Sequence, residues 1–332
     1  MKTLSVNIEN LCVPCHCGCR HCLLNSQHRA TGVAYQTGEA FARKFFHWMK
    51  ENYPEQIGMY YVGYCMDFPE LPQYIKYFKE QTGMDHLMFD GMSIRTPEET
   101  EELLLNIRDA GIRELHFTFY GTETYHDRFA GRKGDFAYMM QVARLAQAME
   151  LKVTGGIMLT RENKAQMEDL FTRLREAGLQ DLAVILPHAK GRGEAMSHLR
   201  LREEDLQDLP NYIQDMLPAK RYRTEKQWIQ EGNFHKATGR HLTLALTPEN
   251  IERLEAMDPD EIIQELEAMD DCFHSHFPEI STLAAEYGHP ENTQLFRYRD
   301  LVLQWQKRYM KDHPIFPDIT DESGSFSTRV YP

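Results

Sequence analysis

The stretch "LSVNIENLCVPCHCGCRHC", Leu4 to Cys22, decides how this chain is read. Its first part, Leu4–Glu9, alternates apolar and polar residues with the period of two that predicts a short β-strand. Its second part holds five cysteines between Cys12 and Cys22. The chain has seven in all, and the other two, Cys65 and Cys272, lie far from the group and from each other. Neighbours this close cannot staple distant segments, and the count is odd, so metal binding is the better reading than a disulfide framework. Cys15, Cys19 and Cys22 have the spacing C-x3-C-x2-C. Cys12 and Cys15 also give C-x2-C, the usual start of a zinc site, and His16 or His21 could add a ligand, so spacing alone leaves both chemistries open.

Outward from this loop, strand and helix patterns alternate. A helix is expected around Glu39–Asn52, a second strand at Ile57–Tyr64, and a helix closed by Gly83. "HLMFDG" reads as a third strand, and Thr96 with Pro97 opens the next helix as N-cap and first helical residue. Strands at Glu114–Gly121, Lys152–Thr160 and Asp181–Pro187 complete six, with helices at Phe136–Glu150 and after Lys164. Such alternation predicts right-handed βαβ units and a parallel sheet. After Pro187 the pattern changes. "LREEDLQDLPNYIQDML" reads as helix, Gln227–Gly239 as polar and aperiodic, and "HLTLAL" as an edge strand. Helices are expected after Thr247-Pro248 and Asp258-Pro259, then a Pro, Gly and Ser tail from His313.

The 332 residues are 42% hydrophobic and 26% charged, ordinary values for a folded globular chain, and the formal net charge is −13. That balance argues against nucleic-acid binding through phosphates, which depends on Lys and Arg displacing counterions. No apolar run approaches the roughly 20 residues that span a bilayer, and the N-terminus lacks the pattern of a secretory signal, so no membrane association and a cytoplasmic location are expected.

Ligands of parallel α/β proteins gather at the carboxyl ends of the strands, where this cysteine loop lies. Three thiolates can hold three irons of a [4Fe–4S] cluster and leave the fourth open to another ligand. Here the sequence resembles the radical S-adenosylmethionine (radical SAM) family, across roughly residues 4 to 195. The resemblance implies a partial (β/α)6 barrel over residues 1–200, with a mainly helical C-terminal extension over 201–332 covering its mouth. It also implies S-adenosylmethionine chelated to the open iron of a cluster on Cys15, Cys19 and Cys22. One electron then releases a 5′-deoxyadenosyl radical that abstracts hydrogen from a small-molecule or peptide substrate. A flavodoxin- or ferredoxin-type reductant would donate the electron.

Further segments carry the likeness. "VGYCMDFPE" stands where the family has Gly-Gly-Glu: Gly63 is kept, while Tyr64 and Cys65 replace the next two, leaving ammonium recognition to backbone carbonyls or Asp67. "FTFYGTETYHDRFAGRKGDF" matches the fourth-strand segment, with Thr118 in the polar position and His126, Asp127, Gly131 and Phe136 following; helix capping and local support is the plainer role of His126 and Asp127. "GGIMLTREN" resembles the strand along the adenine, with Gly156 and, just beyond, Asn163. In "LPHAKGRGEA", Arg192 is a partner for the S-adenosylmethionine carboxylate or a surface loop arginine. For substrate chemistry, Cys65 and Cys272 are candidate hydrogen donors, although a free cysteine is often only a small buried hydrophobe. Asp90 and His188, with Asp67 and Tyr120, are polar groups at strand ends. Cys12 and Cys17 are bystanders. No second cysteine set or cobalamin motif is present. Two other classes remain: a zinc-binding interaction protein, and a non-catalytic iron–sulfur electron carrier or sensor.

Overall fold

The computed structural model describes residues 1–313 and 325–331, apart from Gln27, Ala189 and Asn233. Its first half is the alternating series β1 (Lys2–Asn10), α1 (Tyr35–Asn52), β2 (Ile57–Val62), α2 (Leu71–Thr82), β3 (His86–Met88), α3 (Pro97–Asp109), β4 (Glu114–Phe119), α4 (Glu123–Ala130), α5 (Asp135–Ala148), β5 (Lys152–Met158), α6 (Met167–Glu176) and β6 (Gln180–Ile185). The remainder comprises α7 (Asn211–Gln214), β7 (Arg223–Thr224), α8 (Glu225–Glu231), β8 (Gly239–Ala245), α9 (Ile251–Ala256), α10 (Pro259–Ser275), α11 (Ile280–Tyr287), β9 (Leu295–Phe296), α12 (Tyr298–Asp312) and β10 (Phe326–Val330).

The six strands fall in chain order into two parallel ladders, β1 with β2 and β3-β4-β5-β6. Among the described residues no ladder joins β2 to β3, so the α/β array is an open, partial barrel. Two-residue alternation divides each strand between helix-facing and inner surfaces. On β1, Val6 and Ile8 are fully buried, and on β4 so are Leu115, Phe117 and Phe119, joining one core with Phe41, Phe45 and Met49 of α1. Each such side chain contributes roughly 1.5–3 kcal/mol by leaving water. The opposite face carries Ser5, Asn7 and Glu9 on β1 and His116 and Thr118 on β4. Local signals act as the sequence predicts: Thr96 caps α3 with Pro97 at its start, and Gly83 closes α2 at φ 69°; the structure adds Glu99, which completes a reciprocal capping box with Thr96.

Four expectations are corrected. "HLTLAL" is not an edge: β8 lies between β1, which it pairs in parallel, and β10, which it pairs antiparallel. Leu242 and Leu244 give β8 a buried face that an edge strand would waste. The polar stretch from Gln227 belongs in part to α8, which Thr224 caps by accepting from the Gln227 amide. "LREEDLQDLPNYIQDML" is broken at Pro210, which cannot donate a helical hydrogen bond, into a 3-10 turn at Glu203–Asp208 and the single turn of α7. The tail expected from His313 falls partly on 314–324, outside the described residues, and its end forms β10.

Candidate active site at the cysteine loop

The loop after β1 runs across the carboxyl ends of both ladders, held mainly by backbone hydrogen bonds. On the β2 side, Gly63 N donates to Asn10 O (2.7 Å) and Tyr64 N to Val13 O (2.8 Å). On the other side His16 N donates to Gly91 O (3.0 Å), Gly18 N to Ala130 O (2.8 Å) and Arg20 N to Phe129 O (3.0 Å). Two glycines make room. A Cβ on Gly91, whose φ is +77°, would lie 2.6 Å from the Cys15 sulfur, and one on Gly131 would lie 3.0 Å from Gly18 O. Arg192 reaches the loop from beyond β6. Its guanidinium donates to Cys19 O (2.8 Å) and Ser26 O (2.7 Å), and its amide to Cys22 O (3.0 Å). It is therefore committed to loop carbonyls.

Cys15 and Cys17 are buried, and Cys19 and Cys22 are half-buried. The Cys17 amide donates to Cys15 Sγ (3.4 Å), and hydrogen bonding from Cys17, with the Ser26 hydroxyl and the Arg132 charge, pulls the Cys15 thiol down to about 6 against the effect of burial. A thiol so placed is ready to ligate as thiolate. Tyr120 Oη donates to Cys19 Sγ (3.5 Å), and Ser26 N donates to Cys22 Sγ (3.2 Å). Cys17 also faces Asp135 Oδ2 at 3.8 Å. Its thiol is pushed up by the neighbouring Cys15 and Cys19 sulfurs and by burial. Beneath it Asp135 accepts from His126 Nε2 (3.0 Å) and from Arg132, while His126 Nδ1 accepts from Tyr120 N (3.3 Å). Burial raises the Asp135 carboxyl, but these partners outweigh it and hold the group below its ordinary value. Asp127 accepts from Gly134 N (2.6 Å) and Phe136 N (2.9 Å), tying α4 to the start of α5.

Asp90 and Thr118, singled out separately in the sequence, are brought together: Thr118 donates to Asp90 through its amide (2.8 Å) and its hydroxyl (2.7 Å). Burial raises the Asp90 carboxyl above its ordinary value in spite of these bonds. Asp67 accepts from Ser93 N (2.8 Å) and pairs with Arg95 and with His16 (3.3 Å). Tyr64 Oη meets Thr31 Oγ1 at 3.2 Å. Cys65 is buried below the loop, donating to Pro14 O (3.2 Å), and burial pushes its thiol up to about 12. Gly156 lies on the inner face of β5, where a Cβ would sit 3.2 Å from His116 Nε2. Asn163 is fully buried, donating to Tyr120 O (2.5 Å) and Met158 O (2.7 Å), and so clamps two strand ends together. Cys272 does not close the mouth. It is exposed on α10, off the stripe of Ile262, Ile263, Leu266 and Phe273 that packs inward.

His188, beyond β6, meets Asp300 of α12 at 3.4 Å and lies against the Arg297 guanidinium. Its neighbours Arg297 and Arg299, and Arg200 behind them, escaped the sequence reading, as did the inner-face row Ser5, Asn7 and Glu9. The alternation of β1 itself could have revealed that row, since its polar positions share one face. Burial raises the Glu9 carboxyl, with Lys190 opposing.

As a host for a cofactor, the loop offers soft thiol donors, hydrogen-bond donors to their sulfurs, and a glycine at the one point where a side chain would displace Cys15. Among the described residues no three His, Cys, Asp or Glu side chains converge on a single metal-ion position. A cubane cluster asks for spread ligands, because each cysteine takes a different iron.

No family model and no curated protein matches this sequence. Among solved structures, it is similar to SuiB of Streptococcus suis bound to the precursor peptide SuiA, at 12% identity and a TM-score of 0.47, with 65% of this chain and 46% of that chain covered. SuiB bound to S-adenosylmethionine gives 13% identity and a TM-score of 0.46, over 65% and 48%. The chain thus spans about half the length of SuiB. HemN of Escherichia coli, a coproporphyrinogen III oxidase described as a radical SAM enzyme, gives 13% identity and a TM-score of 0.41, over 74% and 63%. No described helix is long and apolar enough to cross a membrane. The solved structures that this chain resembles thus include one described as a radical SAM enzyme and one bound to S-adenosylmethionine.

Proposed function

We propose that this chain is a radical SAM enzyme acting by hydrogen abstraction on a small molecule or peptide, with a [4Fe–4S] cluster on Cys15, Cys19 and Cys22. The observation that carries this reading is the C-x3-C-x2-C loop itself, at the carboxyl end of β1 and fastened to the ends of both ladders. When bound, such a cluster supplies one-electron reduction of S-adenosylmethionine at its open iron.

The chain's own residues do the rest. Gly91 and Arg192 fix the loop path, Tyr120 and Ser26 donate to ligand sulfurs, and the Asp135–His126–Arg132 group supports Cys17 from below. Cys17, facing a carboxylate rather than open space, is the bystander, and Cys12 stands outside the ligand set. The inner faces of β1 and β4 orient the substrate through polar side chains, and Cys65, its thiol pushed up by burial, is a hydrogen donor beneath the loop.

Anaerobic reconstitution followed by reduction with S-adenosylmethionine tests this. About four irons and four sulfides per chain and release of 5′-deoxyadenosine are expected. Tight zinc binding with no S-adenosylmethionine cleavage would replace the reading by an interaction protein, and a cluster indifferent to S-adenosylmethionine by an electron carrier.

A further inference from the structure

Beyond β6 the chain gathers an excess of positive charge inside an acidic protein. Arg297 Nε stands 3.2 Å from Asp300 Oδ2, and Arg299 Nη2 stands 3.8 Å from Asp300 Oδ1. Arg200, only 3% exposed, gives one hydrogen bond to Leu295 O at 3.4 Å and lies over the Phe296 ring at 4.6 Å. His188 faces the same carboxylate. Three guanidiniums therefore share the single carboxylate of Asp300 among the described residues. Burial shifts the Arg200 guanidinium down to about 10, with Asp300 opposing and Arg297 adding to the shift. A buried positive charge is costly unless an anion meets it.

Two cavities adjoin this cluster, and Arg299 lines both. One, of about 290 Å³, runs from Leu23, next to Cys22, past His188 and Asp300 to apolar walls from Leu266, Phe273, Val302 and Phe326. At its far end Asp270 is already paired with Arg240 (2.8 Å) and with Arg329. The second, of about 510 Å³, adds Lys220, Arg221 and Arg297 beside Trp228 and Tyr298. A small apolar cavity with convergent cations at one side has the make-up of a site for an amphipathic anion.

We propose that Arg299, which lines the 290 Å³ cavity, binds the oxyanion, carboxylate or phosphate, of an apolar-bodied substrate that occupies it and reaches toward the cysteine loop, while Arg297 shares Asp300 with it from the adjoining cavity. This deepens the proposed radical SAM reading, since it names the substrate class of that site. The planar guanidinium fork suits either oxyanion.

The test uses the full chain and needs no turnover. Thermal unfolding is followed with hexanoate, hexyl phosphate and hexanamide as probes, because a ligand that binds only the folded state raises Tm with its concentration. Hexanoate or hexyl phosphate should raise Tm, the more potent naming the headgroup, and hexanamide should not. Arg299→Gln, at a half-exposed position, should weaken the effect roughly tenfold, and Arg299→Lys, which keeps the charge but not the fork, should weaken it less. Equal shifts for hexanoate and hexanamide, or a hexanoate shift unchanged in Arg299→Gln, would overturn the proposal. Anion binding by a protein that never cleaves S-adenosylmethionine would instead leave this site standing and remove the radical reading.

Discussion

The cysteine loop and the C-terminal helices meet near His188, yet they are held by different physics. The loop is fastened by main-chain hydrogen bonds and by glycines whose missing side chains admit a sulfur or a carbonyl. The C-terminal helices are fastened by a charged hub. Glu225, fully buried at the start of α8, accepts from Trp305 Nε1 (2.7 Å), Arg308 Nη1 (2.6 Å), Asn292 Nδ2 (2.9 Å) and His289 N (2.9 Å). Main-chain fastening leaves thiols free to bind something, whereas hubs hold separate helices in register. Damage to the first should cost cofactor retention, and damage to the second should cost stability.

The largest effect is expected at the ligands. Cys15→Ala, Cys19→Ala or Cys22→Ala should each abolish the iron–sulfur absorbance after reconstitution, while Cys12→Ala and Cys17→Ala retain most of it; iron and sulfide assays check this. Loss of the cluster in Cys17→Ala would break the assignment.

Next comes the C-terminal hub. Glu225→Gln leaves the half-buried Arg308 without its counter-charge and the buried Glu225 site with fewer strong acceptors, and should destabilise by about 3 kcal/mol, read from denaturant unfolding, with iron content per folded chain unchanged. Its pH dependence has a definite sign. Burial pushes the Glu225 carboxyl up, but bonds from Arg308 and Trp305 outweigh it and hold the folded value below the ordinary 4.5. The stabilisation is therefore complete above the unfolded value and is lost as pH falls through the folded one, so wild type should weaken in acid more steeply than Glu225→Gln.

Gly91→Ala sharpens the contrast from the loop side. A left-handed φ and a Cβ 2.6 Å from the Cys15 sulfur should cost roughly 1–3 kcal/mol and lower iron retention disproportionately. A smaller loss is expected for Arg192→Lys, which keeps the charge but not the fork that spans Cys19 O and Ser26 O. Slower cluster loading with Tm nearly unchanged is the expected outcome. For the cluster, the smallest effect is expected of Thr118→Val: it removes one hydroxyl donor from Asp90 while the amide bond remains, so iron retention should be unchanged and only thermal unfolding should move, by about 1 kcal/mol.

What the sequence disclosed follows the same division. Periodicity and capping are local, so six strands, the α3 N-cap at Thr96 and the Gly83 terminator could be read directly. Spacing is local too, which is why the C-x3-C-x2-C loop stood out. The insertion of β8 beside β1 depends on a pairing across more than 200 residues, with Ser5 opposite His241, and no short window carries that information. The same holds for Arg200, Arg297 and Arg299, which are ordinary arginines until α12 docks near the end of β6. Arg192 and Asn163 were marked by position alone; their roles in clasping the loop and two strand ends come from partners that only the folded chain supplies.

The most direct measurement is electron paramagnetic resonance of the anaerobically reduced, reconstituted protein with and without S-adenosylmethionine, with 5′-deoxyadenosine quantified in the same samples. A [4Fe–4S] signal that shifts on adding S-adenosylmethionine, disappears in Cys19→Ala and accompanies 5′-deoxyadenosine is predicted. A signal indifferent to S-adenosylmethionine, or none at all in protein that has bound zinc, would contradict a cluster held by three cysteines with one iron left open.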